Sequence, residues 1–290
     1  MSAPLLFDRA LHRRRLDRAA RDYDAAAFLK RRVAADAVDR LETATRAFDI
    51  AAELGARTGA FAEALAASPA RAKVGVLFEA DLSLPMLAGR DGVRLVLDEE
   101  RLPFAPASLD LVVSLLALHW TNDLPGALIQ IRRALRPDGL FLGAVFGGAT
   151  LTELRQSLLQ AEAELRGGAG LRVSPFADGA DAAGLLQRAG FALPVADVER
   201  LTVRYGDPLR LLADLRRMGE TNVLLDRDRR PLSRAVLARA CELYAERFGD
   251  PDGRVPATFE IIAVTGWAPA QVDERRTSAP RRRLTPTLPR

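Results

Sequence analysis

The chain reads as an α/β protein built on an open parallel sheet with helices on both faces. Three observations lead there. Residues Asp98–Leu140 pass from an acid-headed apolar run, LDLVVSLLALHW, through a helical segment to LRPDGL, and FLGAVF follows at once. Two parallel strands need such a crossover, and a helix is its usual form. The apolar runs are continuous rather than alternating, as strands buried on both faces are. Finally, such runs alternate with helical segments along most of the chain.

Each element has its own signal. Residues 7–46 read as one or two amphipathic helices with Phe28, Leu29, Val33 and Leu41 on an apolar face. AFDIA (47–51) is a first buried strand, and GAFAEALAAS (59–68) a helix after a turn. KVGVLFEADLS supplies the second strand, VRLVLDEERLPF the third, LDLVVSLLA the fourth and LFLGAVFGG the fifth. Beyond Gly148 comes a helix of about four turns, TLTELRQSLLQAEAELRGG, whose glycines suit a C-terminal cap. SPFADGADAAGLLQRAGF begins as a loop and ends as a short helix, and FALPVADVERLTVRY is a sixth strand. DPLRLLADLRRMGETN is a helix with Pro208 in its first turn, and TFEIIAVTGWA is the last strand. Residues 270–290 carry Pro, Ser, Thr and Arg without periodicity and read as a disordered basic tail.

Composition excludes several classes. At 290 residues with 49% apolar content, the chain suits one large globular domain with an appended subdomain. No apolar run approaches the roughly 18 residues of a membrane span. The start lacks the apolar core of a secretory signal, and Asp8, Asp17, Asp22 and Asp24 argue against an organelle presequence. The single cysteine, Cys241, leaves no disulfide within the chain and no cysteine cluster. The net charge of +4 is the sum of two basic ends, +5 over residues 1–32 and +4 over 271–290, around a body of −5. This is no basic groove, so no specific nucleic-acid partner is expected, while peripheral attraction to an anionic membrane stays open.

Three acid-bearing turns stand in order at strand ends. Glu53-Leu54-Gly55-Ala56-Arg57-Thr58-Gly59 follows the first strand, Asp81 in FEADLSLPML ends the second, and Asp98 in LVLDEERLPF ends the third. Together with LRPDG they resemble the class I S-adenosylmethionine (SAM) methyltransferases. The resemblance implies a Rossmann-like, seven-stranded fold with a helical insertion after the fifth strand. It divides the chain into an N-terminal helical lid (1–46), the methyltransferase-like domain (47–269, with insertions about 150–190 and 207–250) and the tail. It also implies SAM as cofactor, held at Glu53, Gly55, Arg57, Gly59, Asp81, Leu82, Asp98 and Glu99. The family pattern has glycine where Arg57 stands, so Arg57 either meets the SAM carboxylate or narrows the turn.

Longer strings sharpen the resemblance: FDRALHRRR, LPFAPASLDLVVSLLALHWTNDLPGAL, FLGAVFGGATLTELRQSL, DLRRMGETN and VPATFEIIAVTGWA. In that order, from about residue 7 to 268, they resemble the methyltransferase-like assembly factors of respiratory complex I that hydroxylate a protein arginine. The malonyl-carrier-protein methyltransferases of biotin synthesis are the runner-up. The first resemblance implies a complex I iron–sulfur subunit as protein substrate, in the cytoplasm of a bacterium or at its inner membrane, or in the matrix of a mitochondrion. It leaves the oxidant open. Only His12 and His119 are present, so a two-His iron triad is not expected from this chain.

The remaining candidates each carry two readings. His119 is a catalytic or substrate-orienting group, or a histidine bonded to nearby backbone. Trp120 walls the substrate pocket or packs a loop. Glu220 in MGETN, with Asn222 beside it, offers a carboxylate to an arginine substrate, or is a solvated helix end. Asp214 is another acid on that helix or a surface partner of Arg217 or Arg210. Ser174-Pro175-Phe176 shapes the pocket mouth or only a turn. Phe7, Arg9 and Tyr23 belong to a lid over SAM or to surface packing. Three functions follow: an arginine hydroxylase, a SAM-dependent methyltransferase of a small or carrier-bound carboxylate, or a non-catalytic assembly chaperone.

Overall fold

A computed structural model of the chain describes residues 5–176 and 181–270. The strands are β1 (Phe48–Leu54), β2 (Val74–Asp81), β3 (Val93–Val96), β4 (Leu109–Leu115), β5 (Leu135–Phe146), β6 (Ala192–Tyr205) and β7 (Val255–Trp267). The helices are α1 (Arg9–Ala19), α2 (Phe28–Thr43), α3 (Ala60–Ala66), α4 (Leu124–Ala134), α5 (Thr152–Arg166), α6 (Ala182–Arg188), α7 (Pro208–Arg217) and α8 (Arg234–Phe248). All seven strands form one sheet in the order β3-β2-β1-β4-β5-β7-β6. The disordered-tail expectation falls on 271–290, outside the described residues, as does part of the 174–181 loop.

Apolar side chains from α2, α3, α5 and α8 pack on one face of the sheet. Those of α4 and α6 pack on the other. Helix starts follow the caps: Asp8, Asp123, Asp207 and Ser233 each accept a backbone N–H of the turn they open. Pro208 stands in the first turn of α7, and Gly167 closes α5 at φ 68°. Among the described residues no helix is long and apolar enough to cross a membrane.

Four differences from the sequence reading have physical reasons. β1 runs on to Leu54 because Glu53, the acid that interrupts the apolar run, is itself buried. Pro137-Asp138-Gly139 does not precede β5 as a free turn. It forms a bulge inside it, between the pairs Leu109–Leu135 and Leu111–Leu140, with Asp138 at φ 59°. β7 runs antiparallel to both neighbours, so the sheet is mixed; apolar patterning tells which face is buried but not which way a strand points. No α-helix follows β2 or β3, and Val76 and Val93 stay 48% and 46% exposed at that edge.

Candidate functional site

β1, β2, β3 and β4 are parallel, so their carboxyl ends and the turns after them share one edge of the sheet. Gly55 and Gly59 hold φ of 75° and 89°. A Cβ on Gly55 would stand 2.3 Å from that of Ala117, so only glycine lets this turn approach the end of β4. Arg57 occupies the left-handed region as well, at φ 55°.

Every acid at this edge has a cation of the chain beside it. Lys30 on α2 is buried; its Nζ lies 3.3 Å from Glu53 and donates to the carbonyls of Gly55 and Leu115, each at 2.7 Å. Both Glu53 oxygens otherwise lack a donor among the described residues. Burial pushes the Glu53 carboxyl up against the opposing pull of Lys30, and burial lowers Lys30. Asp81 accepts the Arg57 guanidinium at 2.8 Å, the Arg57 amide at 2.9 Å and the Ser83 amide at 2.8 Å. Arg9 reaches from α1 to Asp98 at 2.7 Å, to Glu99, and to the carbonyl of Trp120 at 3.2 Å. Burial raises Glu99 while Arg9 opposes it. Leu82 packs with Leu16, Ala19, Tyr23 and Ala27 beneath the N-terminal helices.

The N-terminal segment is stitched across this edge. Asn122 Oδ1 accepts the amides of Leu6 and Phe7, both at 2.7 Å, and Asp8 N donates to Val223 O at 2.8 Å. Phe7 meets Trp120 edge-on with ring centroids 5.3 Å apart, and His12 lies 5.0 Å from the same indole. His12 is held well below its ordinary pKa by burial and by the nearby charges of Arg57 and Arg9. Tyr23, also buried, has its hydroxyl pushed up by burial.

Beside this edge opens a cavity of about 160 Å³, lined mostly by aliphatic and aromatic side chains from α5, α7 and β7. Glu220, in the turn after α7, stands on its wall. Its Oε2 accepts the Trp120 indole N–H at 2.8 Å and lies 3.3 Å from His119 Nε2. The His119 ring rests on Phe146 and Phe176, with centroids 4.9 and 6.1 Å away. No arginine or lysine among the described residues lies within ion-pair distance of Glu220. The cationic lining residue, Arg172, is bound by Glu162 at 2.6 Å and Asp228 at 3.3 Å.

The structure thus brings His119, Trp120 and Glu220 together, and neither the backbone-bonded histidine nor the solvated glutamate is found. Asn222 lines the cavity, yet its amide braces backbone, donating to Leu171 O at 2.7 Å and accepting from Leu224 N at 3.0 Å. Asp214 pairs with Arg217 at 3.2 Å. Cys241 is half-buried, and burial raises its thiol. Lys30 was missed by sequence reasoning. Its signal was a lysine spaced with Val33, Ala34, Ala37 and Leu41 on the buried face of α2, in a chain with only one other lysine, Lys73.

Residues 52–143 match the methyltransferase domain family. The chain is 39% identical over 271 residues to the arginine-hydroxylase NDUFAF5, mitochondrial, of Danio rerio, covering 91% of this chain and 83% of that one. It belongs to the SAM-dependent methyltransferase superfamily, in the family of these arginine-hydroxylases. It is also 37% identical over 278 residues to a malonyl-[acyl-carrier protein] O-methyltransferase of Methylovorus sp. (strain MP688), covering 91% and 90%. The YcgJ protein of Bacillus subtilis superposes with a TM-score of 0.54 at 14% identity, covering 82% of this chain and 99% of that one, a likeness of fold.

SAM is the cofactor of this superfamily, and the residues fit it. A glycine turn, an acid ending β2 and acids after β3 stand in the needed order. Arg57 Nη2 and both Glu53 oxygens are buried polar atoms still short of partners. The fit carries one condition: Arg57 engages Asp81 and Arg9 engages Asp98 and Glu99, acids that the resemblance gives to the cofactor.

Proposed function

We propose that this chain is a protein arginine hydroxylase acting in respiratory complex I assembly, on an arginine of an iron–sulfur subunit. The observation that carries the reading is Glu220, an acid with no arginine or lysine partner among the described residues, in a mostly apolar cavity. A guanidinium entering there meets a carboxylate in a partly dry site, where such pairing is strong. Trp120 fixes one carboxylate oxygen and leaves the other to the substrate. His119, at the same oxygen, is the side chain suited to hold or take a proton beside the bound arginine. Inserting one oxygen is a two-electron oxidation, so an oxidant must reach the cavity; these residues hold and orient the arginine.

SAM, when bound, supplies a transferable methyl group and a sulfonium charge. Gly55 and Gly59 would cradle it, Asp81 would accept the ribose hydroxyls, and Asp98 with Glu99 and Leu82 would meet the adenine. Glu53 would face its methionine end. We place this activity in the bacterial cytoplasm, at the inner face of the membrane where the complex is assembled.

The carboxylate-methyltransferase reading is favoured by the 37% identity to the malonyl-[acyl-carrier protein] enzyme. An acceptor carboxylate would want an uncommitted cation in the cavity, and Arg172 is committed to two acids. Tandem mass spectrometry of complex I subunits, with the wild-type gene, a deletion, or Glu220→Gln, tests the choice. We expect one subunit arginine to lose one oxygen's mass in both altered strains. Loss of a methylene's mass from an arginine instead would make the chain a protein arginine methyltransferase, and no change on any arginine would leave the carrier-protein methyltransferase and the non-catalytic chaperone.

A further inference from the structure

We infer that Ser174 and Thr221 are specificity-determining residues of the cavity: their hydroxyls complete the acceptor set that Glu220 alone leaves short for a guanidinium. This rests on the arginine reading of that cavity. A guanidinium carries five N–H donors in a fixed plane and no acceptor. Glu220 Oε2 is already occupied by the Trp120 indole at 2.8 Å and faced by His119 at 3.3 Å. What remains of the carboxylate serves one edge of the guanidinium. The other donors would be buried against apolar side chains unless further acceptors stand in the wall.

The polar side chains lining the cavity can be sorted by what they already bond. Thr150 Oγ1 donates to Glu260 O and accepts Glu260 N, both at 3.1 Å. Asn222 is spent on Leu171 and Leu224. Arg172 is spent on Glu162 and Asp228. Two hydroxyls are left. Ser174 is 5% exposed; neither its Oγ nor the buried Thr221 Oγ1 has a hydrogen-bond partner among the described residues. They come from different segments, the loop after α5 and the turn after α7 that also carries Glu220.

Each hydroxyl offers two acceptor lone pairs. A lysine ammonium, a compact charge with three donors, is served by Glu220 and its surroundings. A planar guanidinium needs acceptors set apart from one another, and two hydroxyls on separate segments of the wall would supply them. The pair therefore selects arginine over lysine. Neither hydroxyl bonds any described residue, so replacing them removes no hydrogen bond among those residues.

The test is direct binding to the full chain of a synthetic peptide with one arginine and of its lysine twin, with SAM present. The wild type should prefer arginine by more than tenfold. Ser174→Ala and Thr221→Val should each weaken the arginine peptide by about tenfold, the scale of a hydrogen bond to a charged group, and leave the lysine peptide unchanged. Ser174→Thr and Thr221→Ser should restore the preference, which a merely structural loss would not allow. Retention of the arginine preference in both hydroxyl-lacking variants, with Glu220→Gln abolishing binding, overturns this inference and spares the arginine reading. No arginine preference in the wild type overturns both.

Discussion

The acid-rich edge of the sheet and the Glu220 cavity share one rim of the sheet but balance charge in opposite ways. At the edge, Glu53, Asp81 and the Asp98–Glu99 pair are met by Lys30, Arg57 and Arg9. In the cavity, Glu220 has a tryptophan and a histidine and no strong cation. Where a chain closes its own ion pairs, a ligand must compete with the protein for each acid. Where it leaves a carboxylate in an apolar wall, the ligand completes the site. The contrast predicts different consequences for the same kind of change.

The largest effect is expected at Lys30. Lys30→Met leaves Glu53 buried without its cation and removes the donor to two carbonyls, and breaking such a pair costs about 3–5 kcal/mol. Urea unfolding should register most of that, and Lys30→Met with Glu53→Leu should recover much of it. Glu220→Gln keeps the acceptor for the Trp120 indole and should change stability by no more than about 1 kcal/mol. Comparable losses at the two positions would erase the distinction between edge and cavity.

Arg57→Gly comes next, with effects of opposite sign on stability and affinity. It strands Asp81, although the backbone amides of position 57 and Ser83 still hold that carboxylate. It also relieves a non-glycine residue at φ 55°. Adding the lost pair and the relieved strain, the free protein should lose about 2–3 kcal/mol. SAM should then bind about tenfold tighter by calorimetry, because Asp81 no longer has to be surrendered by a guanidinium. A loss of affinity instead would assign Arg57 to the cofactor carboxylate, the other reading of the sequence.

How much of this the sequence carried depends on range. Strands and turns were legible because each apolar run and each glycine or acid that closes it is local. The sense of β7 was not, since period-two patterning has no polarity. That Glu220 in MGETN stands out as an acid was legible too, and the structure sets it beside His119 and Trp120. Their partners were not: Arg9 meets Asp98 across 89 positions and His119 meets Glu220 across 101. Such pairs depend on how helices return to the sheet, and no local pattern encodes that. The alternation of Asn222 with Glu220 suggested a shared role, but the turn aims Asn222 at the Leu171 carbonyl.

The smallest effect concerns how the N-terminal segment stays on the edge. His12 is buried among Arg57, Arg9 and His119, and its folded pKa lies well below the ordinary 6.5. The unfolded chain therefore takes up this proton first, and the stability tied to neutral His12 is lost as pH falls below about 6.5. Glu53, its carboxyl pushed up to about 7 by burial, acts in the opposite sense over the same range, and Glu99, also raised by burial, has that same sense. Wild-type stability alone would mix the two. The difference between wild type and His12→Phe isolates the histidine, and between about pH 7.5 and 5.5 it should move by about 1.4 kcal/mol against the wild type. The protection factors of the amides of residues 6–12, exchange corrected for its own pH dependence, should fall over the same interval in the wild type alone. A flat difference would mean that His12 takes its proton in place, and that Arg9 and Asn122 alone hold the segment.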